Sequence, residues 1–461
     1  MRGNSILTMK TIGTKLKNSL VILLILGGIC ACQPQEELFT TDPNAVLNFS
    51  EEAVIFDTVF TDIPTVTKRL RVYNRNSNAL RISEVYVGGQ ESSPYRVWIN
   101  GDEGINFNDV TLLGGDSLLV LVSARLPISV PEDIEVAFDS IVFNTNNQLQ
   151  DVKLVSWGQN VNVVRDDIAC ETTWTNERPY LLYDSVLVRQ GCTLQIEEGT
   201  QIFAFNDAIL HVEGQIQAIG EPENRITFQG FRQEPEYDNI PGQWQGLIFY
   251  DQSHANQLYY VDIRNANFGV VAEQASVILE GAIIQNMSIG GILAFGANIF
   301  MQNTVINNCI EGLFQASEGG DYQMNHCTLA NYEFTISRER GAFGTVFANE
   351  EEGDEMSINI QNSIFWGNLP DEIALSGTFI INLQNNIFRS TNLEESFFND
   401  FGSQNRINVA ADSLFTSPFE ADFTLPAISP AINTGITSSA LQDLLGNERD
   451  GLPDLGAYER Q

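Results

Sequence analysis

The sequence predicts an all-β chain in which an antiparallel β-sandwich precedes a long parallel β-helix. Three observations predict this class: a self-similar segment after residue 261, alternating apolar runs before residue 163, and no helical periodicity. The segment reads VDIRNANFGV, then AIIQNMSIGG, then TVINNCIEGL. Its isoleucines share one phase, its asparagines a second and its glycines a third, with steps of 21 and 22 residues. These positions are Ile263, Ile284 and Ile306; Asn265, Asn286 and Asn308; and Gly269, Gly290 and Gly312.

A period near 20 residues with short strands indicates a solenoid in which each coil lies on the one before. Coils stack about 4.8 Å apart, so an inward isoleucine packs on the isoleucine of the next coil. An asparagine at a bend tolerates left-handed backbone and can hydrogen-bond its own image one coil on. A fourth copy, CTLANYEF, places Leu329 and Asn331 in the same phases. These residues are therefore interpreted as scaffold.

The first residues have the features of a secretory signal peptide, predicted over 1–31. Three lysines precede an apolar run, Leu20 to Leu26, that is too short for a convincing membrane span. The sequence Ile-Cys-Ala-Cys that follows resembles a bacterial lipobox, which implies lipidation of Cys32 and a tether over 32–48. Met9 begins a more typical signal peptide than Met1, and both starts stay open.

Acidic residues close to Cys32, Glu36 and Glu37, resemble the export signal of surface lipoproteins of the Bacteroidota. The resemblance implies an outer-membrane location, a lipid anchor and a domain that faces the cell exterior. The membrane is then a partner through the N-terminal lipid.

Residues 49–163 contain seven alternating runs separated by turn residues, which fit an antiparallel β-sandwich. The runs are AVIFDTVF, KRLRVYN, LRISEVYVG, YRVWIN, SLLVLVS, IEVAFDSIVF and VKLVSW. Their order resembles immunoglobulin-like modules of envelope proteins. The resemblance implies a spacer or a docking module rather than chemistry.

Residues 164–410 begin with WTNERPYLLYDSVLVRQGCTLQIEEGTQIFAF and continue through GQWQGLIFY. This succession closely resembles bacterial right-handed parallel β-helix proteins, and it implies that Trp174 and Tyr180 belong to the end of the solenoid. In residues 411–461, SPAINTG and DLLGNERDGLPDLGAYE resemble the terminal motif of β-helix proteins of the choice-of-anchor group. This cap motif is expected to lie over the open end of the solenoid.

Four cysteines follow the lipobox. Cys170 and Cys192 are one coil period apart, so stacked strands can bring their Cα atoms within disulfide distance, and an oxidising envelope favours the bond. Cys309 and Cys327 are out of phase with each other, and they are expected to remain thiols in the interior.

The formal charge of −35, with no lysine after Lys153, excludes a nucleic-acid partner because such a surface repels polyanions. The charge is compatible with attraction of divalent cations or cationic partners, although solubility alone is the favoured interpretation. The chain has no G-x-S-x-G elbow, H-E-x-x-H pair, Walker loop or paired C-x-x-C. Its histidines, His211, His254 and His326, lack ligand spacing and are interpreted as structural or surface residues.

Because β-helices include polysaccharide lyases and pectin hydrolases, an enzyme is considered. Lyases need cations that neutralise an acidic sugar, and Arg338 and Arg340 alternate along one predicted strand. An acidic insertion follows that can hold Ca²⁺ through oxygen ligands: Glu350, Glu351, Glu352, Asp354 and Glu355. A solvated loop is the plainer interpretation of all seven residues.

Two further sets of side chains are compatible with ligands. The terminal aspartates, Asp443, Asp450 and Asp454, fit Ca²⁺ or capped turns, with capped turns favoured. Trp366, Phe249 and Tyr250 can stack on sugars, although aromatic residues in strands more often pack.

The sequence thus predicts a lipid-anchored, non-catalytic scaffold that binds a glycan or an envelope protein. No cofactor is expected, apart from possible Ca²⁺. The alternatives are a calcium-dependent polysaccharide lyase or glycosidase, and an accessory subunit of an outer-membrane complex. A recognition site is expected where the repeat is interrupted, between Asn331 and Asn362.

Overall fold

A computed structural model of the 461-residue chain describes residues 38–128, 135–332, 345–348 and 355–461. The chain divides into two compact units, Met1–Gly158 and Gln159–Gln461. The predicted border at residue 163 lies close to this division. No helix in the described part of the chain is long and apolar enough to cross a membrane.

The first unit is a sandwich of two sheets, each with five strands among the described residues, and most neighbouring strands pair antiparallel. One sheet contains, in spatial order, Asn48–Phe49, Lys68–Tyr73, Ser117–Ala124, Tyr95–Ile99 and Asp102–Gly104. The other contains Ala53–Phe60, Gln148–Gln159, Glu135–Thr145, Leu80–Val87 and Asn106–Leu112. Alternate residues of both sheets form one shared core, as period-2 patterning requires. A short 3₁₀ helix covers Gln90–Ser92.

The seven predicted strands are present in this unit, and three more were missed. Asn48–Phe49 and Asp102–Gly104 are too short to show alternation. Asn106–Leu112 buries alternate residues only at its end, so its sequence resembles a loop.

The second unit is a right-handed parallel β-helix, which confirms the predicted fold class. Each coil contributes one strand to each of three parallel sheets, named here by their strands within the described residues. The ten-stranded sheet contains Thr172–Trp174, Thr193–Ile196, Gln215–Ile219, Asn256–Tyr259, Ser276–Glu280, Asn298–Gln302, Gly320–Asn325, Met356–Gln361, Ile380–Gln384 and Gly402–Ser403. The eleven-stranded sheet contains Asn162–Val164, Tyr180–Leu182, Gln201–Ala204, Ile226–Gly230, Val261–Arg264, Ile283–Met287, Val305–Cys309, Thr328–Asn331, Ile364–Gly367, Ile387–Phe388 and Arg406–Ile407. The eight-stranded sheet contains Val186–Val188, Ile209–Val212, Gly246–Phe249, Phe268–Glu273, Gly290–Phe295, Gly312–Ser317, Thr345–Ala348 and Ile373–Ser376.

The isoleucine phase of the repeat is the strand register of the eleven-stranded sheet. Ile263 pairs with Ile284, Ile284 with Ile306, and Ile306 with Leu329, and all four are buried. These side chains stack along the solenoid axis, so each coil buries apolar surface against the next.

The asparagine phase forms a hydrogen-bonded ladder at the bend into the eight-stranded sheet. Asn286 Nδ2 donates to Asn265 Oδ1 at 3.0 Å, and Asn308 Nδ2 donates to Asn286 Oδ1 at 2.5 Å. All three have positive φ, which asparagine tolerates. The glycine phase was partly wrong: Gly290 pairs with Gly312 but also with Phe268, so Gly269 is one residue out of register. The reason lies in the bends into the eight-stranded sheet: those after Asn286 and Asn308 each contain one residue more than the bend after Asn265.

Aromatic side chains occupy both ends of the solenoid core. At the start, the Trp174 and Tyr180 rings stack with centroids 4.7 Å apart. At the end, Phe398 of the helix Glu395–Asp400 is buried and stacks on Phe388 at 4.4 Å. The remaining helical segments are 3₁₀ turns at Pro235–Tyr237, Ala411–Ser413 and Pro418–Glu420.

The first coils carry a disulfide between Cys170 and Cys192, whose Cα atoms are 4.5 Å apart. Cys309 and Cys327 are buried thiols. Burial raises the pKa of Cys327 to about 12, so this thiol stays protonated and unreactive.

The terminal segment, residues 411–461 and here called the C-terminal strap, is not where it was predicted. It lies along the side of the solenoid rather than over the open end. It packs on the outer face of the eleven-stranded sheet, where Leu414, Phe415 and Leu444 join Trp366 and Ile387 in one apolar cluster. Burial of this outward apolar face was not predicted from the sequence.

The strap is held by a second column of positive-φ residues, at the bend from the ten-stranded into the eleven-stranded sheet. This bend column consists of Tyr260, Gly281, Asn303, His326, Asn362 and Asn385. Asn385 Nδ2 donates to Thr434 O at 2.8 Å, and Asn303 Nδ2 donates to Gln442 O at 2.7 Å. As strap numbers rise, solenoid numbers fall, so the strap runs back towards the first coils.

Candidate functional site

Most of the residues proposed from sequence for anchoring, catalysis or Ca²⁺ binding lie outside the described residues. This applies to Cys32 and to the signal peptide, and to Arg338, Arg340, Glu350, Glu351, Glu352 and Asp354. Glu355 is exposed, and its backbone carbonyl accepts a hydrogen bond from Gly320 N–H at 3.0 Å. Of this set, only Glu355 lies in the part of the chain that the structure describes.

The terminal aspartates form capped turns. Asp443 is fully buried, and its carboxylate accepts from the backbone N–H groups of Leu445, Asn447 and Glu459. Asp454 accepts from the N–H groups of Asn433 and Arg460, and Asp450 from that of Leu452. Among the described residues no group of three or more His, Cys, Asp or Glu side chains is arranged to hold a metal ion.

Two of the three aromatic residues considered as sugar platforms are buried. Trp366 and Phe249 are 2% and 0% exposed, because their side chains point into apolar clusters. Tyr250 is different: it follows the strand Gly246–Phe249 and faces outward, partly exposed.

Tyr250 lies in a groove at the bend from the eight-stranded into the ten-stranded sheet. The groove has a volume of about 430 Å³. Its lining, here called the Tyr250 groove, consists of Tyr250, Asp251, Glu273, Gln274, Phe295 and Glu318.

Strand stacking positions these side chains. Glu273 and Phe295 are paired in the parallel register of the eight-stranded sheet, and both end their strands. Tyr250 N–H bonds to Val212 O at 3.0 Å, which continues the ladder one residue past its strand. Residues from successive coils therefore converge on one side of the sheet.

His211 supports the tyrosine. The two rings stack with centroids 5.8 Å apart and an interplanar angle of 15°, and Tyr250 Oη lies 2.8 Å from His211 Nδ1. Desolvation lowers the pKa of His211, with an opposing effect from Glu213. Desolvation also raises the pKa of Tyr250, as do Glu273 and Glu213. Both rings are therefore neutral at neutral pH, and the hydroxyl stays available for hydrogen bonding.

The described lining combines two partly exposed aromatic rings with three exposed carboxylates, and it contains no arginine or lysine. Aromatic faces pack on apolar ring surfaces, and carboxylates accept hydrogen bonds from hydroxyl or ammonium groups. An anionic ligand would be repelled. The groove can therefore hold neutral or cationic polyhydroxy compounds.

Sequence reasoning identified Tyr250 but missed Glu273, Phe295 and the groove. A signal was available in the sequence. Tyr250, Glu273 and Phe295 are spaced by about one coil period, and each directly follows a run of apolar residues, GLIF, VVA or ILA. The residue types differ at this phase, so the groove does not show as a repeat in the sequence.

Comparison with known proteins leaves the family open. No protein-family model and no curated protein matches the chain. Among solved structures, it is similar to a family 123 glycoside hydrolase from Clostridium perfringens, at 4% identity and a TM-score of 0.18 over 26% of this chain. The chain spans 30% of that hydrolase's length. It is also similar to pectate lyase Pel9A, at 14% identity and a TM-score of 0.28 over 66% of this chain and 79% of the lyase.

Proposed function

We propose that this chain is a lipid-anchored outer-membrane protein that faces the cell exterior and binds glycans without cleaving them. The observation that carries the binding function is the Tyr250 groove, in which aromatic rings and carboxylates are held on rigid strands. The anchor rests on the lipobox at Cys32, and the outer-face location on the acidic residues after it.

The groove predicts the class of glycan. Uronic acids carry a carboxylate at neutral pH, and Asp251, Glu273 and Glu318 would repel it. We therefore expect neutral or amine-bearing saccharides, with a sugar face against Tyr250 and hydroxyls towards the carboxylates.

The binding test is isothermal titration of neutral oligosaccharides into wild type, Tyr250→Ala and Phe295→Ala. Loss of an aromatic contact of about 1–2 kcal/mol should weaken binding roughly 5- to 30-fold. Phe138→Ala is the matched control, since that ring is 74% exposed on the sandwich. Equal affinity in all four proteins would remove the groove from the proposal.

The anchor test is processing in cells. Cys32→Ala, or globomycin treatment of the wild type, should leave uncleaved precursor, since lipidation precedes cleavage in lipoproteins. Mature Cys32→Ala protein that still partitions with membranes would contradict the anchor.

The rival enzyme hypothesis has its own readout. A lyase releases unsaturated uronates that absorb ultraviolet light, and a glycosidase releases reducing ends. Either product from purified protein, with or without added Ca²⁺, would contradict a purely binding function. Loss of that product in Arg338→Ala and in Arg340→Ala would then assign catalysis to these two arginines, whereas product that survives both changes would exclude them.

A further inference from the structure

A second outward surface of the solenoid is built differently from the groove. Along the outer face of the ten-stranded sheet, eight consecutive coils place one residue each in a single register. This amide column consists of Gln195, Gln217, Gln257, Ile278, Phe300, Gln323, Asn359 and Asn382. Their neighbours in each strand point into the core, so the column faces solvent.

The column contains no charged side chain, although the whole chain has a formal charge of −35. Six of its eight residues are amides, each with two donor hydrogens and an acceptor oxygen. The other two, Ile278 and Phe300, are paired at its centre and partly exposed. The surface therefore offers an apolar centre with amide groups on both sides.

The amides are not consumed by bonds among themselves. Asn382 Nδ2 donates to Asn359 Oδ1 at 3.0 Å, and Gln257 Nε2 donates to Tyr259 Oη at 3.3 Å. Gln323 Nε2 donates to the carboxylate of Asp321, beside the column, at 2.8 Å. Each of these bonds uses a single donor hydrogen and leaves further donor or acceptor positions on the same amides. Seven steps of about 4.8 Å make the column roughly 34 Å long.

The C-terminal strap forms a wall beside this surface. Asn325 Nδ2 donates to Ser438 Oγ at 3.1 Å, and Ser439 Oγ donates to Gln302 Oε1 at 3.3 Å. Between strap and sheet lies a cleft of about 510 Å³, with Gln302 on the sheet side and Leu441 on the strap side. Leu441 is 75% exposed, so the wall also has an apolar edge.

We infer that the amide column, with the strap as its side wall, binds an extended neutral polysaccharide chain along the solenoid axis. Hydroxyl groups donate and accept hydrogen bonds, as amides do, and pyranose faces pack on Phe300 and Ile278. No charge on the column selects an ionic polymer. Successive coils repeat the same contact, so weak contacts add along one chain. The inference rests on the proposed function for its ligand class and adds a separate surface.

The test is affinity electrophoresis of the full chain in gels that contain xylan, galactomannan, mixed-linkage β-glucan or polygalacturonate. Retardation is expected with at least one neutral polymer and not with polygalacturonate. Gln257→Glu with Asn359→Asp keeps shape but replaces amide donors by carboxylates, and should raise Kd about tenfold or more. Phe300→Ala should do the same through loss of the apolar centre.

Tyr250→Ala separates this inference from the groove. If it abolishes retardation while the column variants bind like wild type, the groove is the site and the inference is wrong. If only the column variants lose binding, the column is the site. No retardation by any neutral polymer overturns the inference, whereas oligosaccharide binding to the groove would still stand. Thermal melting checks that each variant folds. If Phe300→Ala does not fold, the double carboxylate variant, Gln257→Glu with Asn359→Asp, tests the column, since both side chains face solvent.

Discussion

Replacement of Asn362 by glycine should release the C-terminal strap from the solenoid locally. Asn362 Nδ2 donates to Ile436 O, and Ile436 N–H donates to Asn362 Oδ1, both at 2.9 Å. Asn362 is fully buried and has a φ of 52°. Glycine adopts this φ without strain, so the variant removes both side-chain bonds to the strap without straining the backbone. It also removes the contacts of Asn362 Nδ2 with His326 Nε2 at 3.0 Å and with Asn325 Oδ1 at 3.4 Å, which lie within the solenoid and do not hold the strap.

The magnitude follows from these contacts. Each lost hydrogen bond costs about 1 kcal/mol net, and a backbone group left without a partner adds about 1 kcal/mol unless water reaches it. The Ile436 groups are partly buried, so we expect a loss of about 2–3 kcal/mol in the free energy of strap opening. Asn362→Ala should cost about 1 kcal/mol more, because alanine is strained at positive φ.

Hydrogen exchange measures this directly at the Ile436 amide. A loss of 2 kcal/mol speeds exchange about 30-fold where local opening controls it. Asn382→Ala is the control, because this exposed asparagine bonds to Asn359 and not to the strap. Unchanged protection of the Ile436 amide in Asn362→Gly would show that the strap is not held through the bend column.

Three further outcomes follow. Burial, and to a lesser extent Arg449, lowers the pKa of His326 well below 6.5. Below about pH 6.5 the unfolded chain therefore binds a proton that the folded chain does not. The free energy of unfolding should fall as the pH falls through about 6.5, by at most about 1.4 kcal/mol per pH unit. In His326→Asn, which matches the neighbouring bend residues, urea unfolding at pH 7 and 5 should show less pH dependence; an equal slope would refute this. Reduction of the Cys170–Cys192 bond should cost about 3 kcal/mol in stability for a 22-residue separation. Alkylation of Cys170 and Cys192 themselves by iodoacetamide before reduction, located by peptide mapping, would show that the bond is absent. Gly246→Ala should abolish folding, since an added Cβ would lie 2.0 Å from a neighbouring carbonyl oxygen, whereas Gly451→Ala meets nothing and should express normally.

The solenoid and its register could be predicted because neighbouring coils repeat the same residues. Ile263, Ile284 and Ile306 occupy the same place in successive coils and look alike in sequence. The bend column could not be found in this way, because Tyr260, Gly281, Asn303 and His326 share only a positive φ. Three of the six residues in the column are asparagines, but the other three are of different types, so this phase shows no continuous repeat in the sequence.

The placement of the strap was beyond sequence reasoning for a different reason. Its contacts are distant in the chain, as between Asn303 and Gln442, which are 139 residues apart. The apolar residues of the strap and those of the sheet face can each be recognised in the sequence. Their patterns do not predict that the strap covers the sheet face. The open end of the solenoid was the more obvious apolar surface, although Phe398 already fills it.

The direction of the strap determines the order in which the molecule can be completed. Ribosomes make the coils first, and residues 430–461 emerge only after every strand that they will contact. Until then, the outer face around Val305, Ile364 and Trp366 has no cover. If the coils form as they are made, folding therefore passes through a stage in which the completed solenoid still exposes this apolar face. Premature termination of synthesis near residue 430 would fix the protein at that stage, with nearly every coil intact and a surface prone to self-association.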